Sequence, residues 1–370
     1  MFISGEPKVR NLTIHIDTGN TIGPKDLPVI YGNPDVHTLL HATVTFESSH
    51  DCKAKAVEIL FKAAANTYYF SQDETSRKHQ GEQIFSSKRW DLEVERPKPG
   101  WIAKGNYARQ CSVILDPSLP SSSESPFGAM RYVFEARLKG AKGFGPARID
   151  WIETQEVWVL NSTLPFSSTI PLDNPVVVYG QRRNVLPFSL SIPTDTLCFG
   201  QVVPITVQLD RFRTGCAQEG EEALVSSASF TLRETKVFRA MFVAEVLETS
   251  EKLLHIAVNT GWPQTVDGWQ RTINVSLPAS PTMSADIQTK YLDVAHTLVV
   301  EVEFKTSKMA KPEKLRAQMD IHITAPRFES LATALPPQYG DAIPVESMLM
   351  LGPPPTLDAN EALPSYSRYE

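Results

Sequence analysis

The dominant period along the chain is two. In Arg131-Tyr-Val-Phe-Glu-Ala-Arg-Leu138, Tyr132, Phe134, Ala136 and Leu138 share one face, while Arg131, Glu135 and Arg137 point the other way. Residues 297–305 repeat the pattern, with Leu298, Val300, Val302 and Phe304 opposite Thr297, Glu301, Glu303 and Lys305. Ile205/Val207/Leu209, Leu254/Ile256/Val258, Ile273/Val275/Leu277 and Met319/Ile321/Ile323 follow suit. Strict alternation with one polar face is what a half-buried antiparallel sheet requires. The runs are short, are separated by Gly, Pro, Ser and Asn clusters, and leave no stretch with a capped helical period. They predict an all-β chain of two antiparallel β-sandwiches, immunoglobulin-like in architecture.

The alternation lapses between about 164 and 186. Leu164-Pro-Phe-Ser-Ser-Thr-Ile-Pro-Leu-Asp-Asn-Pro175 carries three prolines and polar spacers, as a linker would. A second set of strands is expected from Phe188-Ser-Leu-Ser-Ile192 to about Ala325-Pro326. The expected division is therefore a sandwich over 1–165, a linker over 166–185, a sandwich over 186–330 and a tail over 331–370. The tail has seven prolines in 40 residues, no lysine and no core-forming pattern. It is expected to be disordered when unbound. Met348-Leu-Met-Leu351 interrupts it, either as a self-docking segment or as a chance cluster.

The tail also carries candidate binding chemistry. Leu335-Pro336-Pro337-Gln338-Tyr339 holds a PPxY sequence, and Leu363-Pro364-Ser365-Tyr366 is the related LPxY. Adjacent prolines hold φ near the polyproline II value, so little entropy is lost on docking. WW domains take such segments in aromatic-lined grooves. Pro336, Pro337 and Tyr339 form the stronger candidate; Leu363, Pro364 and Tyr366, lacking the first proline, form the weaker one. The 23 residues between Tyr339 and Leu363 give a root-mean-square span of about 25 Å. Engaging both sites on one partner would raise avidity by about 10²–10⁴. The last lysine in the sequence is Lys314, so a ligase held on this tail must modify something other than its docking segment.

Charge and cysteine usage narrow the classes. A net charge of −6 gives no electrostatic case for nucleic acid. Glu6, Lys8 and Arg10 stand where a signal peptide needs apolar residues, and no window approaches a membrane span. Cys52, Cys111, Cys198 and Cys216 lie far apart with no CxxC pair, which suits reduced thiols and a cytoplasmic protein. The sequons at Asn11, Asn161 and Asn274 then read as chance matches.

Catalysis finds little support. His37 and His41 have the spacing of a helical metal pair, but Gly32, Pro34 and β-branched neighbours make the segment loop and strand. His50-Asp51-Cys52 are adjacent side chains in a turn, which do not make a nucleophile–base pair. There is no GxSxG, P-loop or Rossmann glycine pattern. Trp151 and Trp158 read as strand-packing aromatics. No catalytic residue, metal or cofactor is expected. Lys305, Lys308, Lys311, Lys314 and Arg316 form a basic cluster just after a strand. It reads either as a contact for anionic headgroups or an acidic peptide, or as a solvated loop diluted by Pro312 and Glu313. Ser121-Ser-Ser-Glu-Ser125 reads as a phosphorylation site or a flexible loop.

Several of these segments resemble a known family. Leu40-His-Ala-Thr-Val-Thr-Phe-Glu47, Ala56-Val-Glu-Ile-Leu-Phe-Lys62 and the Gly-x-x-Arg-Tyr strand, Pro126-Phe-Gly-Ala-Met-Arg-Tyr-Val-Phe-Glu-Ala-Arg-Leu138, resemble an arrestin N-domain in order. Leu186-Pro-Phe-Ser-Leu-Ser-Ile-Pro193, Phe199-Gly-Gln-Val-Val-Pro-Ile-Thr-Val207 and Ala295-His-Thr-Leu-Val-Val-Glu-Val302 resemble an arrestin C-domain. Together with two PY motifs, the arrangement is similar to the α-arrestins, or arrestin-related trafficking adaptors. The resemblance implies an adaptor whose arrestin domains recognise integral membrane cargo such as transporters. Its PY motifs would recruit a HECT-type ubiquitin ligase through WW domains, so that cargo is ubiquitinated and endocytosed at the plasma membrane or endosomes. The alternative is a trafficking-coat or scaffold protein of related fold without ligase recruitment. An enzyme with a dispersed site is the third reading. The phosphate-sensing polar core of the visual and β-arrestins does not map onto specific residues in this sequence.

Overall fold

Alternating side chains commit the backbone to pleated strands before any packing is considered, and strands account for every regular element among the described residues. The computed structural model describes residues 9–32, 37–70, 77–142, 149–162, 175–182, 186–210, 224–241, 246–259, 264–265, 268–306 and 311–326. In chain order the first strands are β1 (Val9–Ile16), β2 (Thr21–Ile22), β3 (Leu27–Gly32), β4 (Thr38–Ser48), β5 (Cys52–Lys53) and β6 (Val57–Phe70). Then come β7 (Lys78–Asp91), β8 (Trp101–Ile102), β9 (Gly105–Leu115), β10 (Ser123–Ser125), β11 (Gly128–Lys142) and β12 (Ile149–Asn161). The second half holds β13 (Val176–Arg182), β14 (Leu186–Ile192), β15 (Thr196–Cys198), β16 (Val202–Asp210), β17 (Leu224–Arg239) and β18 (Val246–Val258). It closes with β19 (Gln264–Thr265), β20 (Gly268–Ser276), β21 (Ile287–Gln288), β22 (Leu292–Lys305) and β23 (Glu313–Thr324).

Each half is a pair of facing sheets. In the first, β1-β4-β9 oppose β2-β3-β12-β11-β6-β7, with β10 added on β11. In the second, β13-β14-β16-β20-β19 oppose β15-β23-β22-β17-β18, with β21 added on β22. Two short strands depart from the antiparallel expectation: β3, between β2 and β12, runs parallel to β12, and the edge strand β15 runs parallel to β23. Both arrive from sequence-distant segments, a geometry that no hairpin signal encodes.

The inward faces are those the alternation predicts. Tyr132, Phe134, Ala136 and Leu138 are buried in the first core, and Leu298, Val300, Val302 and Phe304 in the second. At about 1.5–3 kcal/mol for each large apolar side chain buried, these faces decide the register. Leu254, Ile256 and Val258 are only half-buried, because β18 is a sheet edge.

Two expectations are corrected. The stretch read as a linker, 166–185, contains β13, which pairs antiparallel with β14 from Val176↔Ile192 to Arg182↔Leu186. Three consecutive β-branched valines outweigh the prolines before them. The serine run is not a flexible loop either. Ser121, Ser122 and Ser123 are buried, the first two bonded to β12 and Ser123 paired with Met130 of β11. Ser122 N donates to Val159 O at 2.7 Å and Val159 N to Ser122 Oγ at 2.9 Å, while Asn161 N donates to Ser121 Oγ at 2.9 Å. Serine hydroxyls replace missing ladder bonds in this strap, 119–125, and nothing in a period-two reading reveals that. Asn161, one of the three sequons, is buried with its amide bonded to Leu119 O at 2.5 Å.

The two sandwiches share apolar surface. Phe238, Ala240, Leu292 and Val294 from the second half belong to the first core, and Trp158 and Leu160 pack with Ala325. Thr67 Oγ1 donates to Arg239 O at 2.5 Å, Met241 N to Gln80 O at 3.1 Å and Trp158 Nε1 to Ser280 Oγ at 3.1 Å. Gly128 sits at this seam, where an added Cβ would lie 2.7 Å from Asn66 O and 3.1 Å from Phe238. The described residues up to Pro326 accordingly belong to one compact unit, and residues 327–370 lie outside the described residues.

Candidate functional site at the seam of the two sandwiches

The seam carries a cluster of buried ionisable groups. On β17 the inward residues run Phe230, Leu232, Glu234; on β22 they run Val294, His296, Leu298. The antiparallel register sets Glu234 directly opposite His296. One acid and one imidazole thus stand on the apolar phase of adjacent strands, both almost fully buried. The 277–291 segment, which leaves β20 and carries β21, brings Asp286 to the other side of the ring.

The geometry closes every polar atom of the pair. His296 Nε2 lies 3.2 Å from Glu234 Oε2, and His296 Nδ1 lies 2.6 Å from Asp286 Oδ1. Ser284 N donates to Glu234 Oε2 at 2.9 Å, and Lys236 Nζ lies 2.8 Å from Glu234 Oε1. Asp286 Oδ1 also accepts from Ile323 N at 3.2 Å, and Asp286 Oδ2 meets His322 Nδ1 at 3.1 Å. Burial by itself would raise the Glu234 carboxyl. The His296 hydrogen bond, the Lys236 charge and hydrogen bond, and the Ser284 N–H outweigh burial and hold it down to about 2. Burial would likewise lower His296, but hydrogen bonds and charge from Asp286 and Glu234 raise it above its ordinary value.

These groups reach the first sandwich by two bonds. Ser284 Oγ lies 3.1 Å from Ser123 Oγ of the strap, and Lys236 Nζ donates to Glu124 O at 3.4 Å. Beside them opens a cleft of about 410 Å³, lined by Leu119, Ser121, Asn161, Thr196, Asp286 and His322. His322 is largely exposed there, so Asp286 joins the buried ring to solvent. A second, apolar cavity of about 300 Å³ lies between Ile22, Leu27, Trp158 and Pro281, with the Lys25–Glu124 ion pair (3.4 Å) among its lining residues.

The residues read from the sequence lie elsewhere. Pro336, Pro337, Tyr339, Leu363, Pro364 and Tyr366 fall outside the described residues, as does Lys308. Lys305 ends β22, Lys314 and Arg316 are on β23, and Lys311 precedes it, so the basic cluster is partly strand rather than a loop after one. Glu303 faces Lys314 in register, and Glu301 Oε1 lies 4.0 Å from Arg316 Nε. Each acid offsets a base on this exposed face. His50, Asp51 and Cys52 diverge: His50 Nδ1 meets Ser49 Oγ at 3.0 Å, Asp51 Oδ1 accepts from Lys104 N at 3.0 Å, and Cys52 is buried. His41 is bonded to Ser112 Oγ at 2.9 Å on β9. Burial raises the Cys111 and Cys198 thiols, which disfavours the reactive thiolate.

The polar seam itself was legible only as an anomaly, a charged residue on the apolar phase of a strand. Glu234 follows Phe230 and Leu232 in phase, and His296 precedes Leu298 and Val300 in phase. Among the described residues, no group of three or more His, Cys, Asp or Glu is arranged to hold a metal ion, and no helix is long and apolar enough to cross a membrane. No curated protein matches the chain. Residues 182–328, which cover β14 to β23 and therefore the seam cluster, match the family described as Arrestin (or S-antigen), C-terminal domain.

Proposed function

We propose that the protein is an adaptor that brings a HECT-type ubiquitin ligase to integral membrane proteins, such as transporters, and so promotes their ubiquitination and endocytosis. The match of residues 182–328 to the arrestin C-terminal domain carries the adaptor part. An arrestin-type second sandwich packed against another sandwich is a broad surface suited to holding a partner protein. The ligase part rests on the sequence of the tail. Pro336, Pro337 and Tyr339 would dock one WW domain, and Leu363, Pro364 and Tyr366 a second. The lysine-free tail would direct ubiquitin transfer to the sandwiches or to the cargo. On this reading the protein works in the cytoplasm and is recruited to the plasma membrane or endosomes. Lys305, Lys308, Lys311, Lys314 and Arg316 would supply at most a weak peripheral contact with anionic lipid, given the acids interleaved with them.

The test is binding of the full chain to a tandem WW fragment by titration calorimetry, with Tyr339→Ala, Tyr366→Ala and the double variant. Stepwise loss is expected, Tyr339 costing more than Tyr366, with an unchanged melting temperature. Undiminished binding in the double variant removes the ligase from the proposal and leaves a coat or scaffold protein of arrestin-like fold.

A further inference from the structure

We propose that Glu234, His296 and Asp286 form a proton-operated clasp: while His296 is an imidazolium it holds segment 277–291 and the strap 119–125 together across the seam, and loss of its proton loosens both. The inference goes beyond the adaptor reading and is independent of the PY motifs.

The geometry alone requires the charged ring. Both nitrogens of His296 face carboxylate oxygens, at 2.6 and 3.2 Å, and the side chain has no solvent exposure. A carboxylate accepts and does not donate, so both nitrogens must carry hydrogen. A neutral ring would turn a lone pair toward a carboxylate, with no water to intervene. The ionisable groups facing the ring come from three elements. Glu234 and Lys236 lie on β17, Asp286 on the 277–291 segment, and His322 reaches Asp286 from β23. Two acids are balanced by His296 and Lys236; without the His296 proton, two acids face one buried cation.

The release is directed at the seam. The shorter bond, to Asp286, keeps the remaining proton, so the lone pair falls on Nε2. It then opposes Glu234 Oε2, the same oxygen that accepts Ser284 N at 2.9 Å. Ser284 Oγ is the tie to Ser123 in the strap. Protons reach the ring from the cleft through Asp286, whose other oxygen meets the exposed His322. A buried titrating group linked in this way to solvent can equilibrate without global unfolding.

The direction follows from linkage. A ring whose pKa is raised in the closed state stabilises that state fully below its ordinary value of 6.5. The contribution is lost as pH rises through the higher, closed-state value. Between those two values the closed form binds one more proton than the open form, so opening becomes about tenfold easier for each pH unit.

Amide hydrogen exchange of the full chain, followed by mass spectrometry across pH 6 to 9 and corrected for intrinsic exchange, provides the test. Peptides covering 277–291 and 119–125 are expected to lose protection by about tenfold per pH unit above 6.5 and then level off. His41→Gln should keep that step, because His41 is an exposed histidine bonded to Ser112 on β9, away from the clasp. His296→Gln should abolish the step. Asp286→Asn, which holds the imidazolium less tightly, should move it to lower pH, and this variant remains informative if His296→Gln does not fold. A step confined to these two segments and absent from the β6–β7 core peptides supports the clasp. A flat wild-type profile, a step that survives in His296→Gln, or an unmoved midpoint in Asp286→Asn overturns it.

Discussion

Replacing Glu234 with glutamine separates charge from shape at the seam. The substitution keeps the volume of a side chain that is nearly fully buried and keeps a carbonyl oxygen for Ser284 N. It removes the negative charge that faces His296 and Lys236. Glu234 is held down to about 2 against an ordinary 4.5, burial being outweighed by His296, Lys236 and the Ser284 N–H. A depressed folded-state value contributes stability that is present above 4.5 and lost as pH falls toward 2. At about 1.4 kcal/mol per pKa unit, the gap corresponds to about 3 kcal/mol. That agrees with the ~3–5 kcal/mol typical when one partner of a buried ion pair is removed. Urea denaturation of wild type and Glu234→Gln at a series of pH values from 6 downward follows this group. The wild type is expected to be more stable by about 3 kcal/mol near pH 6, with the difference shrinking toward zero near pH 2. A difference below about 1 kcal/mol at pH 6, or one that stays constant down to pH 2.5, would refute the assignment of Glu234 as the charged anchor of the seam.

Four further outcomes follow from individual contacts. Tyr132→Phe removes the phenol that donates to Pro120 O at 2.5 Å inside the first core and leaves that carbonyl unpaired; equilibrium unfolding should show a loss of about 1–3 kcal/mol. Ser123→Asp places a charge in the buried strap, and thermal melts should show the unit destabilised by at least about 3 kcal/mol. Kinase treatment of the folded chain should correspondingly leave Ser121, Ser122 and Ser123 unmodified by mass spectrometry. Arg316→Gln removes an exposed charge 4.0 Å from Glu301, and chemical denaturation should register less than about 1 kcal/mol.

What the chain determined by itself was the strand content and which face of each long strand turns inward. Alternation is a local property: a residue pair two apart shares a face whatever the partner strand is, so Tyr132, Phe134 and Leu138, or Val300, Val302 and Phe304, announce their burial in sequence. The PPxY and LPxY sequences are equally local, being spelled out by neighbouring residues. Tertiary structure decided the rest. The parallel pairings of β3 with β12 and β15 with β23 join segments far apart in sequence. The serine strap became core only because β12 offered backbone groups for its hydroxyls. Glu234, His296, Asp286 and His322 sit on four separate segments; in sequence Glu234 and His296 stand out only as polar residues on the apolar phase of a strand, and Asp286 and His322 read as ordinary polar residues. Their chemistry arises from being brought within hydrogen-bond reach where water is excluded. Low polarity there makes an unpaired charge costly and a paired one strongly held.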